Sequence, residues 1–441
     1  MLKKELLLAS TFFIASFLFG QEGSEIKTYN LKVEDAVELA FENNISIKKS
    51  KLNLDLLKKK KISSWNSISP SLSLSGNYGG TNTGTLDQWK DDKVNSSNTW
   101  SAGGSVTIAF TPSLFTAIKA AKLAYESGES SYESMVRSVE LSVRKSFYSL
   151  LYTKENIALQ ENALETARLT YESNKTKYNL GRLSELDLLT SQYSYESKKP
   201  SIDTLKNSYN NSLDSFKQVL GIPLTDKIEL EGNLEDLINI KLDEEILNQN
   251  YDQIPSVKSL LAQIEAQKNS LQASRMTAWG PSLTASSTAS LAGNDKTDDS
   301  SLTMNYSLGV RIPLDGYLPW SSGAMSIASQ KTNLKSLELD LENARTSAAI
   351  TIRNSYNAVN QAMAQLSNYE RNVDLMQRTY EMTKNSYNAG SSSLSALQSA
   401  EENLASAKYN LQAQRYAIIS ALLDLENTLG VPFGTYNSKK E

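Results

Sequence analysis

The sequence predicts a mainly α-helical chain with a membrane β element: long antiparallel coiled-coil helical hairpins, plus a transmembrane barrel of strands shared between chains. Three observations predict it. The chain is written twice, each copy carries a helical seam far longer than a globular helix, and each copy interrupts its helices with a pair of alternating strands.

At the N-terminus, Lys3 and Lys4 precede an apolar run from Leu6 to Phe19, followed by Gly20-Gln21. This run is too short to span a bilayer as a helix and has the form of a secretory signal over residues 1–20. Leu18, three residues before the expected cut, is bulkier than such sites favour. Beyond it no apolar run is long enough for a transmembrane helix, so membrane insertion requires strands.

The repeat is gapless over its helical part. TYESNKTKYNLG (170–181) answers TYEMTKNSYNAG (379–390), LGIP (220–223) answers LGVP (429–432), and Arg144 answers Arg353, all 209 positions apart. Further upstream, Trp65 and Pro70-Ser-Leu answer Trp279 and Pro281-Ser-Leu at a slightly larger shift. The copies span 21–227 and 240–441, with an acidic linker at 228–239.

Within the second copy, apolar residues from Leu334 through Leu341, Ile352, Val359, Leu366 and Val373 to Tyr380 recur in steps of three and four. Such a seam over many turns is coiled-coil packing. It predicts helices over about 114–179 and 321–388, each on the order of 100 Å long. Gly181 and Gly390 end them, the residue type suited to a left-handed cap. A second helix then returns to LGIP or LGVP, so each copy is a hairpin with its tip at the glycine. Pro200 is the expected kink point of the first returning helix.

The strand pairs fall at about 70–110 and 281–312. Leu72, Leu74, Ile108 and Leu308 alternate with Ser73, Thr107, Ser286 and Asn305 in their strands. Apolar on one face and small-polar on the other, strands of about ten residues suit a barrel wall. A sandwich sheet with one wet face has the same alternation. Four strands cannot close a barrel, whereas three chains would supply twelve. Residues 81–100 and 292–300 read as outward loops, and Trp65, Trp279 and Trp320 as an interfacial girdle or as core.

Composition closes off much chemistry. The chain has no Cys and no His, which excludes thiolate nucleophiles, His-based triads, disulfides and Cys/His zinc sites. A net charge of −4 without a basic face for phosphates argues against nucleic acid. No cofactor or metal motif and no catalytic acid pair stands out. A coiled-coil stalk or adhesin is the competing class, but it needs no strands in mid-chain.

The doubled plan, the YNLG and YNAG tips, LGIP and LGVP, and Pro-Ser-Leu at each first strand resemble the TolC-like outer-membrane efflux proteins over the whole mature chain. The resemblance implies a homotrimer in the outer membrane with a periplasmic helical tunnel. Its tips, here Gly181 with Arg182 and Gly390 with Ser391, would meet a periplasmic adaptor and an inner-membrane transporter of an efflux pump or type I secretion system. It implies a duct and no enzyme. Acids past the tip would ring the entrance, which places Asp187 and Glu185 there, whereas the second copy has Ala396 in place of the acid. Ser184 with Asp187, and Ser395 with Gln398, also read as boxes capping the returning helices. Lys58 to Lys61 is a solvated face or a contact with anionic headgroups.

Overall fold

A computed structural model describes residues 27–90, 95–235, 238, 240, 242–248, 251–294 and 297–436, so the expected signal at 1–20 lies outside the described residues. In chain order the elements are β1 (Thr28–Leu31), α1 (Val33–Asn43), α2 (Ile45–Ile62), β2 (Ser71–Thr83), a short α3 (Leu86–Lys90), β3 (Asn95–Phe110) and α4 (Ser113–Asn179). There follow α5 (Glu185–Leu220), β4 (Lys227–Leu230), α6 (Pro255–Trp279), β5 (Ser282–Asn294), β6 (Thr297–Arg311), α7 (Ser322–Asn388) and α8 (Leu394–Leu429).

The two longest helices, α4 and α7, have 67 residues each, and the returning helices α5 and α8 have 36 each. A returning helix therefore covers only the distal half of its partner. Along the half nearer the strands α2 packs on α4 and α6 on α7, and α4 joins the two copies by also packing on α6 and α8. On α7 the seam predicted from Leu334 to Tyr380 is buried at Ala348, Ile352, Tyr356 and Val359 and half-buried at its other positions. α5 continues through Pro200 without ending, although the ring has no N–H to return to the preceding turn.

Where the returning helices stop, the chain builds its deepest core. Val33, Ala36, Val37 and Ala40 of α1 bury against Val143, Phe147, Leu150 and Leu151 of α4 and Phe216 and Leu220 of α5. A second cluster joins Val257 to Ile352 and Val359 of α7 and to Ile418, Leu422 and Leu425 of α8. β1 and β4 pair in parallel beside the first cluster, from Thr28 with Lys227 to Leu31 with Leu230. The segment expected as a linker at 228–239 thus opens as a strand, over its first three residues. Gly221 turns the chain here at φ 73°, and a Cβ on it would sit 2.5 Å from the carbonyl oxygen of Asn43. Only glycine fits that approach.

The remaining four strands form one antiparallel sheet in the order β2-β3-β5-β6. They are 13, 16, 13 and 15 residues long, beyond the ten or so expected. Pairing continues past the apolar alternation into Gly, Asn, Ser and Thr, because ladder bonds need no apolar side chain. Gly79 pairs with Thr99, and Thr83 with Asn95. The loop expected at 81–100 is consequently shorter and holds α3, and most of that expected at 292–300 is strand, β5 running to Asn294 and β6 starting at Thr297 with a register shift at Gly293/Asn294. The fold is mainly helical with one strand domain.

Candidate functional site

Two places gather the residues singled out by the sequence: the hairpin tips and the polar face of the four-stranded sheet. At the first tip, Gly181 takes φ 67°. Its N–H donates to the Tyr178 carbonyl at 2.8 Å, while the Arg182 N–H donates to the Lys177 carbonyl at 2.8 Å. At the second, Gly390 takes φ 76°. Its N–H donates to the Tyr387 carbonyl at 3.0 Å and the Ser391 N–H to the Ser386 carbonyl at 2.9 Å. Both are Schellman turns, in which a left-handed residue lets two backbone donors satisfy the last helical carbonyls.

The next residues cap the returning helices. Ser184 Oγ accepts from the Asp187 N–H at 3.1 Å and lies 2.7 Å from Asp187 Oδ2. In the second copy the cap is Ser393, whose Oγ accepts from the Ala396 N–H at 3.2 Å. The expected box of Ser395 with Gln398 is therefore corrected by two residues. Ser395 is already in the helix, and a run of serines offers several positions with the same chemistry. Glu185 is exposed in the first turn of α5, and Asp187 is half-buried.

One link between the tips was not visible in the sequence. Tyr387, near the end of α7, donates its hydroxyl to Asn174 Oδ1 of α4 at 2.7 Å, and Lys177 lies 4.7 Å above its ring. Asn174 is fully buried. Burial raises the pKa of the Tyr387 phenol, the hydrogen bond to Asn174 lowers it, and the negative charge of Asp187 raises it further. Asp187, Tyr387, Asn174 and Lys177 thus form one polar group bridging the hairpins. Tyr387 answers Tyr178 in the repeat, but Asn174 and Lys177 answer Thr383 and Ser386, so the link belongs to one copy only.

The sheet brings the other four site residues to one face. Thr107 pairs with Ser286, Ser73 with Ser105, Ser286 with Ser307, and Asn305 with Thr288. Since paired residues share a face and the side-chain period is two, all four lie together. Serine hydroxyls pair across it at 2.7 Å, Ser73 with Ser105 and Ser286 with Ser307. The opposite face carries Leu72, Leu74, Ile108, Met304, Tyr306 and Leu308, all exposed. At its base, Trp279 donates its indole N–H to the Gly316 carbonyl at 3.0 Å, while Trp65 and Trp320 are exposed. Among the described residues no helix is long and apolar enough to cross a membrane, and no cluster of His, Cys, Asp and Glu could hold a metal.

This arrangement occurs in solved structures. The Campylobacter jejuni CmeC outer membrane channel is similar with a TM-score of 0.72 at 20% identity, over 93% of this chain and 87% of that one. The open state of the Neisseria gonorrhoeae MtrE outer membrane channel is similar with a TM-score of 0.70 at 16% identity, over 93% and 91%. The outer membrane protein VceC of Vibrio cholerae is similar with a TM-score of 0.69 at 14% identity, over 91% and 96%. At these identities the likeness establishes the fold. No curated protein sequence matches the chain. The family described as outer membrane efflux protein matches residues 36–222 and 246–431, one match per repeat. With both copies matched across their strands, hairpins and tip glycines, the chain belongs to the outer membrane efflux protein family.

Proposed function

We propose that three copies of this chain form an outer-membrane duct for a tripartite efflux pump or a type I secretion system. The observation that carries the reading is the sheet. One face is apolar and exposed, and β2 and β6 are both unpaired edges. In lipid such edges are untenable, and joining β6 of one copy to β2 of the next removes them. Three copies give twelve strands, with Ser73, Thr107, Ser286 and Asn305 facing water and Leu74, Ile108 and Leu308 facing lipid.

The same operation places α7 of one copy beside α2 and α5 of the next. Met325, Leu339, Ile350, Leu375 and Met382 are all exposed. At 100° per residue they share one flank of α7, opposite its buried seam. A helix with apolar stripes on two opposite flanks is built to be covered on both sides, like a stave. On α5 the exposed Leu186, Leu189 and Tyr193 supply a matching stripe near the tip. The tips at Gly181, Arg182, Gly390 and Ser391 then form the end open to a periplasmic adaptor and its inner-membrane transporter, with Asp187 and Glu185 at the entrance.

The chain has no native thiol, so single cysteines can test the reading in cells. A membrane-impermeant thiol reagent should label Thr107→Cys and Ser286→Cys through the pore and spare Ile108→Cys and Leu308→Cys. Unheated gels should show an oligomer about three times the chain mass that heating dissociates. Equal labelling of both sets, or a soluble monomer, would sink the duct.

A further inference from the structure

Four segments adjoin the base of the sheet: residues 56–70, 111–125, 267–281 and 312–335. They contain ten Lys or Arg and a single acid, Asp315. Acids make up 49 of the 441 residues, a rate that would put about eight in these 69 positions. In a chain of net charge −4, this end of the helices is depleted of negative charge. Lys58, Lys59 and Lys60 are exposed in the last turns of α2 and make no ion pair among the described residues. Three consecutive helical residues span about 200° of the helix, so at least one faces outward whichever flank meets lipid.

A groove lies within this collar. About 600 Å³ in volume, it is lined chiefly by Pro112, Leu271, Met276, Trp279 and Pro281, with Arg275 among the residues at its wall. Its position follows from the register. Phe110 pairs with Leu283 on the apolar face, and two residues on in each strand direction stand Pro112 and Pro281. The groove therefore continues the apolar face downward, whereas a separate cleft lined by Thr111, Ser282 and Arg311 continues the polar one. It sits beneath β3 and β5, the central strands, away from the edges that ring closure would cover. Of its two cations, Lys268 is tied to Glu265 at 2.7 Å. Arg275 has no ion pair among the described residues and is exposed.

We infer that this collar binds anionic glycerophospholipid of the facing leaflet: an acyl chain lies in the groove, Arg275 holds the phosphate, and Lys58 to Lys60 attract further headgroups. The inference rests on the sheet spanning the membrane. A guanidinium beside an apolar trough fits a lipid phosphate better than free phosphate, which has no use for the trough. Trp279, half exposed in the groove wall, is the aromatic type enriched at this depth of a bilayer.

The test reconstitutes the full chain into phosphatidylcholine vesicles in which a fraction of the lipid is brominated, so that lipid in contact quenches tryptophan. Brominated phosphatidylglycerol should quench more than brominated phosphatidylcholine at equal fraction, corresponding to a preference of about fivefold, the factor one cation contributes at an anionic surface. Arg275→Gln should remove most of the preference, and Lys58→Gln/Lys59→Gln/Lys60→Gln should reduce it and weaken its salt dependence. In both variants quenching by brominated phosphatidylcholine should remain as in the wild type. Inorganic phosphate at millimolar concentration should not compete. Equal quenching by the two lipids, an undiminished preference in the variants, or displacement by phosphate would overturn the inference while leaving the membrane reading intact. Absence of quenching by any brominated lipid would instead overturn the membrane reading.

Discussion

The two hairpins share a backbone and differ in chemistry, most sharply at one repeat position. Lys217 in α5 and Glu426 in α8 answer each other at the 209-residue shift, and both are buried. Each fastens the loop that follows its helix. Lys217 Nζ donates to the Leu224 carbonyl at 2.8 Å and to Asp214 at 3.1 Å. The Glu426 carboxyl accepts the Gly434 N–H at 2.9 and 3.0 Å and the Tyr436 N–H at 3.2 Å. A cation suits a helix C-terminus, where unpaired carbonyls point. An acid there needs compensation, and Arg137 and Arg144 of α4 provide it, with Phe433 beneath both guanidiniums. The repeat thus specifies where a loop must be tied, and the charge that ties it is free to change sign.

The largest expected effect follows from that asymmetry. Glu426→Ala takes a fully buried carboxyl away from two part-buried N–H donors and from two neighbouring arginines, a loss of about 3 kcal/mol. Lys217→Ala removes hydrogen bonds whose partners are partly solvated and should cost about 1 kcal/mol. Urea unfolding of the detergent-solubilised protein measures both, and equal losses would break the comparison. Burial raises the pKa of Glu426 while the N–H groups of Gly434 and Tyr436 lower it, with a net rise. A raised folded value means that the folded state holds its proton longer than the unfolded chain. The contribution of Glu426 is then greatest below the ordinary carboxylate range and is lost as pH rises through the folded value. Relative to Glu426→Gln, the wild type should lose stability across that rise.

Neither Lys217 nor Glu426 was legible as a tie in the sequence, and the reason is physical. The seam from Leu334 to Tyr380 announces itself because each position repeats the burial of the one a turn away. The tip glycines announce themselves because a reversal in so few residues demands positive φ. Contacts such as Thr28 with Lys227, or Tyr387 with Asn174, join positions about 200 residues apart and leave no local period. The polar ends of β2 and β3, residues 81–83 and 95–100, read as loop for a related reason: Asn, Ser and Thr pair as strand without displaying alternation. Ser393 was missed for Ser395 because a serine run satisfies the capping pattern at more than one place. The acid at Asp187 could be placed near the tip, but its proximity to Tyr387 needed both hairpins in position.

A smaller effect sharpens the claim that the tips share geometry. Gly181 and Gly390 have φ within ten degrees of each other, and a Cβ on either would meet nothing within 4 Å. Substitution is therefore opposed by backbone conformation alone. Gly181→Val and Gly390→Val should each cost about 1–2 kcal/mol of local stability, read as faster hydrogen exchange in the last turn of α4 or α7. Asparagine, which tolerates the left-handed region, should restore most of it at both sites. A large difference between the two positions would show that one tip is held by contacts the other lacks.

The smallest effect concerns charge at the entrance, where the copies differ by Asp187 against Ala396. Both follow a serine cap by three residues, at Ser184 and Ser393, so they occupy the same place in the two tips. In the proposed trimer three copies of Asp187 converge while three copies of Ala396 contribute no charge. Like charges brought together in a constriction raise the local cation concentration. Removing them with Asp187→Asn should lower cation selectivity in planar-bilayer conductance and weaken block by trivalent cations. Glu185→Gln, altering an exposed neighbour, should act in the same direction but less. The converse change is more telling, because Ala396→Asp adds an acid where Ser393 is already placed to cap the helix. It should deepen trivalent block beyond the wild type and leave unfolding unchanged within about 0.5 kcal/mol, the size of an N-terminal charge effect. Should Asp187→Asn keep wild-type selectivity and block while losing stability, the aspartate serves only to complete the Ser184 cap, and the two tips differ in stability alone.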